Sequence, residues 1–345
     1  MPWSVIQPEV YDPSSPDIQG YRTLSYPEAI RDGLYEAMIH DPKVFLMGQD
    51  IDAPGGMFGV TKGLQEFFGP NSVFDTPLAE TSLMGVAMGA ALAGMKPVYF
   101  HNRPDFLLLS MDQLVNHAAK WHYMFGGAVN VPMVIWTCIG QGWGSAAQHS
   151  QALQGLFSHI PGLKVIMPSS CYDAKGLLIS AIADPNPVLI IEHRFNFKYK
   201  GHVPEGIYSV PIGQGAIRKL GLDVTVVATS HLVIEAFHAA QELAAEGIDV
   251  EIIDPRTLRP LDENIILNSV AKTGRLVITD TGWKTGGITA EIGAMVAEKG
   301  FHFLKAPINR IAAPDLPTPA GYTLEETFYF GKDRIKEAIL ETIRK

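Results

Sequence analysis

The sequence predicts an α/β protein of two doubly wound domains, and three observations carry that expectation. Its 345 residues exceed one typical domain and suit two. Hydrophobic residues make up 47% of the chain and charged ones 18%, enough to fill sizeable cores and the reverse of a disordered composition. Strand-length apolar runs alternate with helix-length amphipathic ones in two successive blocks, the pattern of parallel sheets with helices on both faces.

In the first block, Ser25-Tyr-Pro-Glu28 reads as a capping box opening a helix, with Ile30, Leu34 and Met38 at four-residue spacing. A short buried strand is expected at 44–48, then a glycine-rich loop at 54–59. Asp75-Thr-Pro77 supplies an N-cap followed by proline at the first helical position, so a helix is expected from there to about residue 93. Gly85 and Gly89 lie one turn apart on it and let another backbone come close. Strands follow at 96–100, 132–138, 163–167 and 187–192, with helices at 110–124 and 173–182. Residues 196–211, with Gly201, Pro204, Gly206 and Pro211, carry neither period, and a linker is placed at 199–211. The second block repeats the pattern, with strands at 223–229, 250–253 and 276–278 and helices at 231–245 and 332–344. Domains are therefore expected at 21–198 and 212–345, behind an N-terminal arm of residues 1–20.

Composition also excludes. The charge count, 27 − 36 = −9 with no Lys/Arg block, disfavours nucleic-acid binding. Two cysteines, Cys138 and Cys171, cannot make a disulfide framework or a four-cysteine zinc site. The longest apolar stretches, such as 131–139, are far too short to span a membrane. Residues 1–20 show neither a basic n-region nor an apolar h-region, which favours a cytoplasmic protein. There is no Walker A run, no dinucleotide fingerprint after a strand, and no Gly-x-Ser-x-Gly elbow.

Ligands of doubly wound folds sit at the carboxyl ends of strands, and three candidates fall there. Glu80 lies in the first turn after the Thr76-Pro77 start; a glutamate there also simply complements the helix dipole. The loop from Gly140 through Gly142 and Gly144 to His149 follows a strand and reads as a tight turn or as an active-site loop with a proton-transfer group. His101-Asn-Arg-Pro-Asp-Phe106 clusters polar, cationic and aromatic groups directly after a strand, as a solvated loop or as a ligand site.

The run Asp75-Thr-Pro-Leu-Ala-Glu80 followed by Gly85-Val-Ala-Met-Gly-Ala-Ala-Leu-Ala-Gly94 resembles the β subunit of the decarboxylating component of 2-oxo acid dehydrogenases, in the transketolase-like thiamine diphosphate superfamily. So do Asp112-Gln113, Ala118-Ala-Lys120, Ala146-Ala-Gln-His149-Ser-Gln151, Pro161-Gly-Leu-Lys-Val165, Asp173-Ala-Lys-Gly176, Arg256-Thr-Leu-Arg-Pro260 and Gly282-Trp283. The similarity runs in order from about residue 22 to the C-terminus.

The resemblance implies a pyrimidine-binding domain, then a transketolase C-terminal domain, with thiamine diphosphate as cofactor. It places Glu80 at N1′ of the aminopyrimidine, Phe106 against that ring and His149 at the mouth of the site as proton donor or acceptor. It also suggests a potassium site at Asp184 and Asn186. The chain has no Gly-Asp-Gly followed by a distant Asn, which in this family lies on a separate α subunit and binds the diphosphate through Mg²⁺. An α₂β₂ heterotetramer is therefore expected, with the chain inert alone and a lipoyl acyltransferase core as a further partner. One segment departs: His101 to Pro104 stand where pyruvate and branched-chain enzymes carry apolar and aromatic residues. A cationic, hydrogen-bonding rim suits a hydroxylated or anionic substrate, so His101 and Arg103 are expected at the substrate. The alternative activity is that of a split transketolase-like or acyloin-forming enzyme with a sugar or aldehyde acceptor.

Overall fold

A computed structural model describes residues 21–140 and 144–345. They divide into two units, each described by itself: one holds residues to 139 together with 157–212, the other holds 140–156 together with 213–345. The N-terminal arm and Gln141 to Trp143 of the glycine-rich loop lie outside the described residues.

The first unit opens with β1 (Tyr21–Ser25) and α1 (Tyr26–His40). The Glu28 carboxylate accepts both the Ser25 N–H at 2.8 Å and its hydroxyl at 2.6 Å, so the predicted box starts the helix where expected. After β2 (Val44–Gly48), α2 (Leu64–Phe68) and β3 (Val73–Asp75) comes α3, which spans Glu80–Leu92 and so begins three residues later than the Thr76-Pro77 signal implied. Asp75 is not available as a cap. It pairs with Gly48 at the end of β3, and its Oδ1 accepts the Asp50 N–H at 2.7 Å. Glu80 is therefore the first helical residue.

β4 (Lys96–Phe100) leads into α4 (Pro104–Leu107), a seven-residue π-helical stretch at Asp112–Ala118, and α5 (Ala119–Met124). β5 (Val134–Ile139), α6 (Gln154–Ser158), β6 (Lys164–Ile166), α7 (Cys171–Ala183), β7 (Val188–His193) and β8 (Lys200–Pro204) follow. The strands of this unit lie in the order β6-β7-β5-β4-β2-β3, all parallel. Every residue of β5 and β7 is buried, as central strands covered on both faces require.

The stretch expected as a linker is tied down. β8 pairs antiparallel with β1, and beyond it Val210 N–H donates to Gly176 O at 3.0 Å while Ser180 Oγ donates to Val210 O at 2.6 Å. Gly176 is required here, because a Cβ would stand 2.5 Å from Val210 Cγ2. Lys175 beside it is fully buried and holds Asp32 of α1 at 2.7 Å, with Pro204 O at 3.1 Å and Gly206 O at 2.6 Å as further acceptors. The Asp173-Ala-Lys-Gly176 motif is thus a clasp over the 200–210 segment.

In the second unit β9 (Ala216–Lys219), β10 (Val224–Ala228), α8 (Leu232–Ala244), β11 (Val250–Asp254), β12 (Thr257–Arg259), α9 (Glu263–Thr273), β13 (Leu276–Trp283), α10 (Ile288–Gly300), β14 (Asn309–Ala313), α11 (Tyr322–Phe328) and α12 (Lys332–Ile343) follow in order. Its sheet runs β14-β13-β10-β11-β9, parallel except for the edge strand β9. No helix among the described residues is long and apolar enough to cross a membrane.

Candidate active site

Of the expected groups, the first unit places His101, Arg103 and Phe106 at or just beyond the carboxyl end of β4, with Glu80 on α3 close enough for its charge to act on Tyr99. Glu80, half-buried, starts α3, where unpaired backbone N–H groups and the dipole favour a carboxylate. Facing it from β4 is Tyr99, fully buried, whose hydroxyl has no partner among the described residues. Burial and then the Glu80 charge push the Tyr99 phenol above its ordinary value, so the two groups are electrostatic neighbours.

Beyond Tyr99 the chain turns inward. His101 is 1% exposed and packs edge-on against the Tyr99 ring at 5.3 Å, with Nε2 3.4 Å from Ser110 Oγ. Burial pushes the imidazole down to about 4, so it is neutral at physiological pH. Arg103 follows with φ 101° and ψ 148°, a conformation that L side chains rarely adopt. Its N–H donates to His101 O at 2.9 Å, and its carbonyl accepts the Phe106 N–H at 3.1 Å. The cation and Phe106, half-buried on α4, are thereby fixed one helical turn apart. Asn102 Nδ2 reaches Met57 Sδ at 2.8 Å and ties the segment to the glycine-rich loop.

The segment that reads as either a solvated loop or a ligand site is interior: Arg103 is 9% exposed. It makes no ion pair with Asp105 or any other described acid, and its Nη1 is unpartnered. Its charge is felt on β5, where burial pushes the Cys138 thiol up to about 12 against the opposing pull of Arg103 and then Arg194.

Sequence reasoning missed Glu192, since an acid ending an apolar strand has no local signature. It is fully enclosed, and the Tyr26 hydroxyl of α1 donates to its Oε2. Burial pushes its carboxyl from 4.5 up to about 8, against the hydrogen bond from Tyr26. A carboxyl whose folded pKa is raised contributes stability that is fully present below the unfolded value and lost as pH rises through the folded one. Glu192→Gln keeps the neutral hydrogen-bonded shape and is expected to flatten the decline in stability between about pH 5 and 8. Urea melts of both proteins across that window check this; parallel curves would refute it.

His149 belongs to the second unit. It is exposed, in a turn whose Ala146 has φ 57° and whose Ala146 O accepts the His149 N–H at 3.4 Å. Five residues on, Gln154 Nε2 donates to both oxygens of buried Asp280 at 3.0 and 2.9 Å. Thr229 Oγ1 and Gly282 N–H, at 2.5 and 3.0 Å, complete that carboxylate's shell. Gly282 of the Gly282-Trp283 motif is needed because a Cβ would come 2.8 Å from Asp280 Oδ2. The His149 segment is thus anchored on the end of β13.

Asp184 closes α7, and its Oδ1 accepts Lys164 Nζ at 2.7 Å and Asn186 N–H at 2.9 Å. Lysine already meets this charge. Asn186 keeps a buried Oδ1 without a partner among the described residues. No group of three or more His, Cys, Asp or Glu among the described residues could hold a metal.

Two family models match the chain: the transketolase pyrimidine-binding domain over residues 22–200 and the transketolase C-terminal domain over 213–335. The chain is 43% identical over 334 residues to the acetoin:2,6-dichlorophenolindophenol oxidoreductase subunit beta of Bacillus subtilis, covering 93% of this chain and 98% of that one. It is 42% identical to the pyruvate dehydrogenase E1 component subunit beta of Rickettsia felis, covering 90% and 96% respectively. A solved split-gene transketolase, described as an inactive beta4 tetramer, superposes with a TM-score of 0.72 at 22% identity, over 93% of this chain and 98% of that one, and supports the fold alone. The chain belongs to the transketolase-like family that contains the β subunits of the acetoin and 2-oxo acid dehydrogenases.

Proposed function

We propose that the chain is the β subunit of a two-subunit, thiamine diphosphate-dependent 2-oxo acid dehydrogenase, decarboxylating a 2-oxo acid and passing the acyl group to lipoamide. The observation that carries this reading is the half-buried Glu80 at the start of α3, beside the unpartnered hydroxyl of Tyr99 and one strand end from Phe106. When bound, thiamine diphosphate supplies the electron sink that decarboxylation requires. Glu80 holds a proton at N1′ of the aminopyrimidine, Phe106 lies against that ring, and His149 donates or accepts a proton during transfer to the acceptor. Asn186 supplies an oxygen to potassium, and the protein works in the cytoplasm, docked to a lipoyl acyltransferase core.

Mg²⁺ and the diphosphate belong to an α subunit in an α₂β₂ assembly. The exposed face of α3 supports a covering partner: Val86 is 57% exposed, and a Cβ at Gly89 would meet nothing within 4 Å. The exposed side of the helix continues through Ser82 and Thr81 to Glu80, so a subunit seated on it would also close the site. Isolated chain is then expected to bind thiamine diphosphate and Mg²⁺ weakly or not at all, and the co-expressed pair tightly. Calorimetry on both preparations checks this; tight Mg²⁺-dependent binding by the chain alone would overturn the two-subunit reading.

The second reading, a split transketolase-like or acyloin-forming enzyme with a sugar or aldehyde acceptor, is favoured by the buried polar segment at 101–103. Lipoamide-dependent reductive acylation by the purified pair separates the two.

A further inference from the structure

Four of the five positions from 99 to 103, around the end of β4, carry buried polar atoms that the described residues leave unsatisfied: Tyr99 Oη, His101 Nδ1, Asn102 Oδ1 and Arg103 Nη1. Three of the groups are neutral and one is a permanent cation. Taking a guanidinium out of water without a counter-charge costs free energy that a folded protein regains only when an anion joins it. No carboxylate among the described residues pairs with Arg103. Two acids in this unit are buried close by in the chain or the sheet: Asp105, which forms no ion pair with Arg103, and Glu192, which is directed to Tyr26 and whose carboxyl burial pushes up to about 8. The side chain is also held in place: positive φ and the following Pro104 fix its backbone, and its carbonyl caps the turn that carries Phe106.

We propose that Arg103 is a specificity-determining residue that receives an anionic group, carboxylate or phosphate, on the substrate at the end remote from the reacting bond. The proposal rests on the cofactor reading above, since Phe106 sets where the cofactor's ring lies. The reacting carboxylate is excluded on energetic grounds. It must become neutral carbon dioxide, and a cation gripping it would stabilise the ground state more than the transition state. A remote anion has no such penalty, because its charge is unchanged along the reaction. The planar fork of Arg103 matches either oxyanion, and the neutral amide, imidazole and phenol beside it suit hydroxyl or carbonyl oxygens on the same molecule.

The test uses the assembled enzyme with its α subunit. kcat/KM is compared for pyruvate, for 2-oxoglutarate with its remote carboxylate, and for a 2-oxo acid bearing a remote phosphate. Wild type is expected to favour one of the two anionic substrates, and which one identifies the group. In Arg103→Gln the ratio of kcat/KM between anionic and neutral substrates should fall about 10–150-fold, the range for losing one charged hydrogen bond. Arg103→Lys should fall between the two. Calorimetry of the cofactor-loaded assembly with glutarate and with inorganic phosphate gives a readout independent of turnover: the matching probe binds wild type and not Arg103→Gln.

Equal losses on all substrates, or a wild type that prefers pyruvate, would overturn the proposal. So would weakened thiamine diphosphate binding in Arg103→Gln, which would give the guanidinium to the cofactor's diphosphate. If neither variant assembles, the wild-type preference and the probe titrations decide alone. Failure of the wild-type assembly to bind thiamine diphosphate would overturn the cofactor reading instead, a distinguishable outcome.

Discussion

Glu80→Gln in the assembled enzyme is expected to lower turnover at least about 100-fold, the scale of a positioned acid–base group, with assembly and cofactor affinity largely retained. Glutamine keeps the size of the side chain and one hydrogen bond. It cannot carry the negative charge that holds a proton at a ring nitrogen. The competing role is passive: a carboxylate at the first position of α3 complements the dipole and contributes about 0.3–1 kcal/mol. The two roles separate cleanly. A passive Glu80 predicts a small fall in melting temperature and near-normal turnover. An acid–base Glu80 predicts the reverse, and the Tyr99 phenol should titrate lower once the neighbouring charge is gone. Steady-state turnover of the variant pair, with thermal melts alongside, checks both.

Much of the scaffold around Glu80 was legible in the sequence because its signals are local. The Ser25–Glu28 box starts α1 at the expected residue, and β2 and β4 fall at 44–48 and 96–100 as their apolar runs indicate. The errors arise where a distant partner overrides a local signal. Asp75-Thr-Pro77 has the composition of a helix start, yet Asp75 is claimed by β2, so α3 opens on Glu80 itself. β8 carries Gly201 and Pro204, poor strand residues, and forms only because β1, about 180 positions away along the chain, offers it an edge.

The candidate site shows the same division. Its residue types could be named from loops after strands, but their environment could not. A His-Asn-Arg run reads as solvated, whereas the fold encloses His101 and Arg103 almost completely. The anchoring of the His149 segment depends on Gln154 meeting Asp280, a pairing across 126 positions that no periodicity announces. Glu192 and Tyr26 meet across 166 positions in the same way.

Asp32→Ala is expected to destabilise the first unit by about 3–5 kcal/mol, the cost of leaving a buried charge without its partner. Lys175 is fully buried, and among the described residues Asp32 is its one carboxylate, at 2.7 Å; the two carbonyls that remain accept hydrogen bonds but carry no full charge. The reverse change, Lys175→Met, should cost less. Asp32 would keep Arg22 at 2.6 Å and is 16% exposed, so its charge stays paired and partly hydrated. The double variant should then be more stable than Asp32→Ala alone, because an apolar side chain in place of the lysine removes the orphaned cation. Urea melts of the three variants check the order. If Lys175→Met and Asp32→Ala cost the same and their effects add, the clasp over residues 200–210 works through packing rather than through the ion pair.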